Sequence, residues 1–133
     1  MQLEERLVAL ARQARKNAYC PYSGFAVGAA LLGASGRLYI GVNCENASYG
    51  GTICAERAAL TAAVAAGERR FRMLAIAAGD TPTFPCGLCR QTLWEFGDMD
   101  VVCAPAQGEE RVRTKLSALL PDAFGPAALR EDG

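Results

Sequence analysis

Two short motifs contain the residues best suited to chemistry in this sequence. Cys54 and Glu56 stand two positions apart, and Pro85 precedes a C-x-x-C pair formed by Cys86 and Cys89. Clustered thiols that stay reduced are typical metal ligands. The sequence contains no histidine, which excludes Ser-His and Cys-His nucleophilic sites and every zinc site with a histidine ligand. We therefore predict that Cys54, Cys86 and Cys89 bind one zinc ion.

The number of cysteines near these motifs predicts the kind of zinc site. Three protein ligands leave the fourth tetrahedral position to water, as in catalytic sites, whereas a structural site closes with a fourth ligand. The remaining cysteines, Cys20, Cys44 and Cys103, form no second C-x-x-C pair, although one of them could still fold back onto the cluster. We expect an open, catalytic site, and we expect these three cysteines to be small buried residues.

Two neighbours of Cys54 are predicted to assist the metal. Glu56 can reach a water molecule on the zinc ion but is poorly placed to bind the ion itself, which suits a proton shuttle. The helix dipole alone also favours a carboxylate in a first turn, so Glu56 has a structural alternative. A zinc ion with three thiolates carries a net negative charge, which weakens its action as a Lewis acid. Arg57 is therefore predicted to hydrogen-bond to one or more cysteine sulfurs and to offset that charge.

Both motifs are predicted to stand at the start of a helix. The run from Ala55 to Ala66 consists almost entirely of helix formers and ends at Gly67, and residues 88–96 form a second helix that stops at Gly97. Free N–H groups and partial positive charge at helix N-termini lower the pKa of a thiol and favour the thiolate that binds metal. If the two helix starts lie side by side over a sheet, three sulfurs converge on one point.

The remaining pattern predicts an α/β fold. A strand, a helix and a second strand in that order imply a parallel pair with a right-handed crossover, so the sheet should mix antiparallel and parallel pairs with helices on its faces. The expected elements besides the two helices above are an amphipathic helix at 3–18, a β-hairpin made of 25–32 and 38–42, strands at 73–78 and 101–104, and a strand with a short helix within 111–120.

Composition limits the partners and the compartment. Lys plus Arg and Asp plus Glu number 14 each, so there is no basic field to attract a nucleic acid, and a small uncharged substrate fits better. Charged residues interrupt every apolar run near the N-terminus, which argues against a signal peptide or a membrane span. We expect a cytoplasmic protein with reduced thiols, one domain covering residues 1–133, and no membrane or nucleic-acid partner.

At these residues the sequence resembles the zinc-dependent cytidine deaminase family, whose signature is a cysteine or histidine, any residue, a glutamate, and later P-C-x-x-C. The resemblance implies a three-layer α/β/α sandwich around a mixed five-stranded sheet. It also implies hydrolytic deamination of cytidine and 2'-deoxycytidine at C4, in pyrimidine salvage, with Glu56 passing protons to N3 and to the departing ammonia. It extends over an ordered series of motifs at 18–23, 25–31, 41–47, 54–57 and 85–91.

The family pattern also implies roles in substrate binding. Asn43 and Glu45 match residues that hydrogen-bond to the ribose 3'-hydroxyl, and polar groups aimed at a sugar hydroxyl discriminate against analogues that lack it. Phe25 matches a residue that packs against the pyrimidine, and Ala55 matches a further substrate contact. Taken without the resemblance, Asn43 and Glu45 would be ordinary loop residues and Phe25 a core aromatic.

The resemblance implies an assembly as well. In the short, three-cysteine branch of the family the enzyme is a homotetramer, and Tyr49 and Phe124 match aromatic residues that reach a neighbouring subunit's site. The alanine-rich helix at 55–66 has polar cover mainly at its two ends. We accordingly expect it to be buried on more than one side.

Three other functions remain open at this point. An enzyme that deaminates a cytosine nucleoside antibiotic of the blasticidin type resembles the family closely, although Asn43, Glu45 and Phe124 favour ordinary nucleosides. A noncatalytic zinc-binding module would need a fourth protein ligand. A thiol oxidoreductase using Cys86 and Cys89 would show an exposed, low-pKa pair that works without metal, and bound zinc would exclude it.

Overall fold

The computed structural model describes residues 2–130, which contain five strands and four α-helices. The predicted elements are present, with boundaries that differ by a few residues. The first helix is shorter than predicted because the chain tightens into a 3-10 turn at Arg15–Asn17. In chain order the elements are α1 (Leu3–Ala14), β1 (Gly28–Gly33), β2 (Leu38–Val42), α2 (Ala55–Ala65), β3 (Phe71–Ala77), α3 (Gly87–Trp94), β4 (Asp100–Ala104), β5 (Val112–Lys115) and α4 (Leu116–Leu119).

The five strands form one mixed sheet in the order β2-β1-β3-β4-β5. Strand β1 pairs antiparallel with both β2 and β3, and β4 pairs antiparallel with β5. Strands β3 and β4 are parallel, with Ala75 opposite Val102, and α3 is the crossover between them. The prediction of a mixed sheet built from a hairpin and one parallel unit is confirmed.

Helices cover both faces of this sheet. Successive residues of β1 point to opposite sides, so Leu31 packs with α2 and α3 while Leu32 packs with α1. One core cluster joins α2, α3 and α4 to the sheet, and the other joins α1 to the opposite face. The three-layer α/β/α sandwich is therefore confirmed. None of the helices within residues 2–130 combines the length and the apolar composition needed to cross a membrane.

Helix α2 lies unusually close to the edge strand β2. A side chain in place of Gly41 would overlap the carbonyl oxygen of Ala55 and the amide nitrogen of Ala59. This close approach fixes the height of the first turn of α2 above the sheet. At the other end, Gly67 has a φ of 100°, which is the left-handed conformation that ends the helix where the sequence predicted.

Only one side of α2 is covered by its own chain. The side chains that face β1 and β2 are buried, whereas residues 61–62 and 65–66 are exposed. Burial of this helix on more than one side therefore stays a prediction about an assembly.

Candidate active site

Three thiols meet where two helices begin. Cys54 is the residue that precedes the first turn of α2, and Cys86 holds the same position in α3, with Cys89 in the turn that follows. The Sγ atom of Cys86 lies 3.7 Å from that of Cys54 and 3.4 Å from that of Cys89, and all three sulfurs lie within 4.8 Å of one another. The convergence predicted from the two helix starts is present.

The thiol geometry fits a tetrahedral zinc ion. With zinc–sulfur bonds of about 2.3 Å, tetrahedral ligands stand about 3.8 Å apart, close to the sulfur separations observed here. All three cysteines are free, and their sulfurs are too far apart for a disulfide, which needs about 2.05 Å. No other cysteine or carboxylate within residues 2–130 joins this group. The donor set therefore offers three protein ligands and leaves room for a fourth, nonprotein one.

Charges around the sulfurs favour a thiolate even before metal binds. The pKa of Cys54 is lowered to about 5, chiefly because the Cys89 thiol donates a hydrogen bond to it, with Arg57 adding a further hydrogen bond. The pKa of Cys89 is raised correspondingly, since it is the partner that keeps its proton. Zinc binds the deprotonated form of all three ligands, and Cys54 is the thiol whose surroundings already favour that form.

Arg57 lies against the cluster as the sequence predicted. Its Nη2 is 3.6 Å from the Sγ of Cys54, and its buried Nε has no hydrogen-bond partner within residues 2–130. The pKa of the guanidinium is raised, first through its hydrogen bond to Cys54 and also through one to Cys89. An ionised sulfur is a stronger acceptor for this guanidinium than a neutral thiol, which is a second indication that the site suits a metal ion.

Glu56 is a buried acid beside these ligands. It lies in the first turn of α2 and is only 5% exposed. Burial, which disfavours the charged form, is the main reason that its pKa is raised to about 7, and the negative charge of Cys54 contributes to the same rise. A carboxyl group with this pKa can both accept and release a proton near neutral pH, which a first-turn carboxylate with a merely structural role would not need.

Asn43 holds the segment that carries Phe25. Its Nδ2 donates to the carbonyl oxygen of Phe25 over 2.8 Å, and its Oδ1 accepts from the amide of Val27 over 2.9 Å. The side chain is buried, and its amide nitrogen, which carries two N–H donors, makes one hydrogen bond within residues 2–130. Phe25 itself is partly exposed. A hydrogen bond therefore joins Asn43 to the main chain of Phe25, so the two predicted substrate residues depend on each other for their positions.

Glu45 organises a second segment. Its carboxylate accepts hydrogen bonds from the amides of Tyr22 and Ser23, at 2.9 and 3.1 Å, and from the Ser23 hydroxyl. The Ser23 hydroxyl is the main reason that the pKa of Glu45 is lowered. Sequence analysis placed Ser23 in the motif at 18–23 but assigned it no role. Glu45 faces a cavity of about 310 Å³, whose lining also includes Tyr22, Ser23, Asn46, Tyr49 and Thr52.

The other three predicted substrate residues differ from one another in exposure. Ala55 is fully buried in the core, while Tyr49 and Phe124 project from the surface with 76% and 60% of their area exposed. Within residues 2–130, Tyr49 forms one aromatic pair, an edge-on contact with Tyr22 at 5.9 Å between ring centroids. Tyr49 and Phe124 are thus available to contact another molecule.

The prediction that the remaining cysteines are buried is correct for Cys103 and wrong for Cys44. Cys44 is exposed, and Cys20 is half-buried. Cys44 lies outside the five strands, where its main chain pairs with Tyr19 and Ile53 in isolated bridges, so the alternating burial of the sheet does not apply to it.

Sequence reasoning missed Arg90, which follows the last ligand. Its Nε donates to the carbonyl oxygen of Pro85 over 2.7 Å, and its Nη1 donates to that of Leu119 over 2.8 Å. Arg90 therefore braces the loop before Cys86 against the end of α4. The only available signal was its position directly after the C-x-x-C pair.

Fold and site together define an α/β/α protein with a three-cysteine cluster that could hold a metal ion and a buried glutamate beside it. A family model described as "Cytidine and deoxycytidylate deaminase zinc-binding region" matches residues 1–105. The chain belongs to this family.

Known proteins agree with that assignment. A cytidine deaminase of Sporosarcina psychrophila is 46% identical over 123 residues, covering 90% of this chain and 90% of that protein. A probable cytidine deaminase of Dictyostelium discoideum is 43% identical over 122 residues, covering 90% and 82%. The crystal structure of cytidine deaminase from Burkholderia pseudomallei superposes with a TM-score of 0.87 at 45% identity, covering 93% of this chain and 100% of the other.

Proposed function

We propose that this protein hydrolyses cytidine and 2'-deoxycytidine to uridine and 2'-deoxyuridine with release of ammonia, using one zinc ion per chain, and that it serves pyrimidine salvage. The observation that carries this proposal is the meeting of three thiols at two helix starts with a buried glutamate beside them. The 46% identity to a cytidine deaminase over most of both chains supports the choice of substrate.

The reaction requires two proton transfers. Water adds its oxygen to C4, the C4–N4 bond breaks, and the two hydrogens of the water end on N3 and on the departing ammonia. We assign both transfers to Glu56, whose pKa of about 7 allows it to take a proton from water and then release it. The burial that raises this pKa also keeps bulk water away from the carboxyl group.

Cys54, Cys86 and Cys89 are proposed to hold the zinc ion. When bound, zinc supplies Lewis acidity that makes water a nucleophile near neutral pH. Two helix N-termini and the Arg57 guanidinium place positive charge beside the three sulfurs, which offsets the charge of the thiolates. The chain thereby compensates for the absence of a histidine ligand.

Substrate recognition is assigned to the loops beside β1 and β2. Phe25 would pack against the pyrimidine, and Asn43 and Glu45 would bind the ribose 3'-hydroxyl, with the second N–H of the Asn43 amide as one donor. Ala55, at the start of α2, would contribute only through its main chain because its methyl group is packed in the core.

We further propose a cytoplasmic homotetramer of one-domain subunits, in which Tyr49 and Phe124 complete a neighbour's site. Their exposure supports this arrangement, as does the uncovered side of α2. Exposing a large aromatic side chain to water is unfavourable in free energy, and a subunit interface would bury these two rings.

An ultraviolet assay of cytidine conversion by the purified holoenzyme tests the activity, with zinc quantified in the same sample. We expect turnover of cytidine and 2'-deoxycytidine, about one zinc ion per chain, and loss of turnover on chelation that added zinc restores. Sedimentation velocity of the same sample should give the mass of a tetramer.

Each alternative predicts a different result. Conversion of a blasticidin-type nucleoside but not of cytidine would reassign the substrate. Bound zinc without turnover of any nucleoside would indicate a noncatalytic zinc module. Thiol–disulfide exchange by metal-free protein would indicate an oxidoreductase, which the expected zinc-dependent turnover under reducing conditions excludes.

A further inference from the structure

Helix α3 reaches the chain near Phe124 through one side chain, Gln91. The Nε2 atom of Gln91 donates to the carbonyl oxygen of Phe124 over 2.8 Å. No other side-chain hydrogen bond within residues 2–130 reaches residues 121–124. We infer that Gln91 is a positioning residue that fixes where Phe124 presents its ring to substrate. This inference rests on the proposed function, in which Phe124 completes a nucleoside site.

The segment around Phe124 depends on α3 for its place. Trp94 is three residues after Gln91 and therefore lies on the same side of the helix. A side chain at Gly125 would approach the Nε1 of Trp94 to 2.9 Å, so the main chain after Phe124 rests directly on the indole ring. Arg90 holds the start of the segment through the carbonyl oxygen of Leu119. Gln91 lies between these two supports and is the one that bonds to Phe124 itself.

The same short helix carries a metal ligand. Cys89 and Gln91 are two residues apart in α3, which has eight residues and leaves little room for independent movement. Helix α3 therefore links the position of Phe124 to the metal site of the same chain, although the ring of Phe124 is exposed. In a homotetramer this linkage would let one subunit's α3 set the aromatic wall of its neighbour's pocket.

Gln91 is expected to act on substrate binding and not on the chemical step. A ring that packs on the substrate holds the ground state and the transition state about equally, so loosening it raises KM and leaves kcat nearly unchanged. The loss of one hydrogen bond between partly exposed groups corresponds to a rise in KM of roughly three- to tenfold.

Two substitutions test this role. Gln91→Glu keeps the shape of the side chain but replaces the donor by an acceptor, and Gln91→Leu removes the hydrogen bond without adding charge. Gln13→Glu in α1 is the matched control, because Gln13 is exposed and its side chain makes no hydrogen bond within residues 2–130. We expect both Gln91 variants to show the raised KM, unchanged zinc content and kcat within about twofold of wild type, with the control unaffected.

A readout independent of turnover comes from the single tryptophan of the chain, Trp94. Because the main chain at Gly125 rests on its indole ring, release of the segment should make Trp94 emission easier to quench with acrylamide in both Gln91 variants. In a Phe124→Ala background, Gln91→Leu should raise KM no further, since the group it positions is gone.

Several outcomes would overturn the inference. An active wild-type enzyme whose KM is the same in both Gln91 variants would do so, as would equal effects with and without Phe124. Loss of zinc together with kcat would make Gln91 a purely structural residue. If wild-type protein converts no nucleoside, the proposed function fails first, and unchanged Trp94 quenching would separately show that Gln91 does not hold the segment.

Discussion

The guanidinium group of Arg57 lies 3.6 Å from the sulfur of Cys54, which stands three residues earlier and immediately precedes the first turn of α2. Because one helical turn carries both the cation and the thiol, their contact follows directly from local geometry. The Nη2 atom of this group also donates to the carbonyl oxygen of Thr52 over 3.4 Å, which helps to keep the guanidinium beside the sulfur. A zinc ion with three thiolate ligands carries a net negative charge, which a neighbouring guanidinium would offset.

Arg57→Ala should weaken zinc binding by about 10- to 100-fold, because the thiolates lose the charge that stabilises them. Competition with a chromophoric chelator measures this change. Arg57→Lys is the matched variant, since it keeps the charge but loses the planar fork, and it should fall between wild type and Arg57→Ala. Intact zinc affinity and intact activity in Arg57→Ala would contradict the proposed contact.

Glu56→Gln should retain zinc and lose turnover by about 10²- to 10⁴-fold, because an amide cannot carry protons between water and substrate. Steady-state kinetics on cytidine, with zinc quantified in the same preparation, provides the measurement. Glu109→Gln is a suitable control, as Glu109 is exposed in the loop before β5. Undiminished turnover in Glu56→Gln would remove Glu56 from the mechanism.

Asn43→Asp should lower the free energy of unfolding by about 1–3 kcal/mol, because a buried carboxylate would face the carbonyl oxygen of Phe25 where an amide now donates. The KM for cytidine should rise as Phe25 loses its support. Asn46→Asp serves as the stability control, since the exposed Oδ1 of Asn46 accepts from the amide of Ser48 over 2.8 Å and aspartate keeps that bond. Equal stability of the two variants in urea would argue against the coupling.

Gly41→Ala should destabilise the protein by about 3 kcal/mol, because the added methyl group meets helix main chain that cannot rotate away. Moving α2 outward would also carry Cys54 away from Cys86, so zinc content should fall with stability. Gly50→Ala is the control, as an added methyl there would meet nothing within 4 Å. Normal zinc content and stability in Gly41→Ala would show that the helix is free to shift.

The sequence predicted what depends on local pattern. Alanine-rich composition and Gly67 predicted α2, and the ligands followed from two helix starts, because capping and periodicity act within a few residues. The exposure of Cys44 and the bond from Gln91 to Phe124 were not predicted. A bridge outside the sheet has no periodic burial to reveal it, and a hydrogen bond between residues 33 positions apart depends on where a loop returns.

Two neighbouring glutamates of α1 allow a matched test of charge pairing. Glu5 bonds to Arg111 at 2.8 Å and Glu4 to Arg113 at 2.6 Å. The side chain of Arg111 is 6% exposed, whereas that of Arg113 is 60% exposed. Replacing Glu5 leaves the buried Arg111 charge without its ion pair, so Glu5→Gln should destabilise the protein more than Glu4→Gln.

The contribution of the Glu5–Arg111 pair to the free energy of unfolding should depend on pH. The hydrogen bond from Arg111 is the main reason that the pKa of Glu5 is lowered in the folded protein. A carboxyl group with a lowered native pKa contributes stability above its unfolded pKa of about 4.3, and loses it as pH falls through the native value. Because Glu5 is 44% exposed and screened by solvent, we expect Glu5→Gln to cost only about 0.5–1 kcal/mol at pH 7 in urea unfolding. The difference from wild type should shrink below about pH 4, and a difference that stays constant with pH would show that the charge of Glu5 contributes nothing.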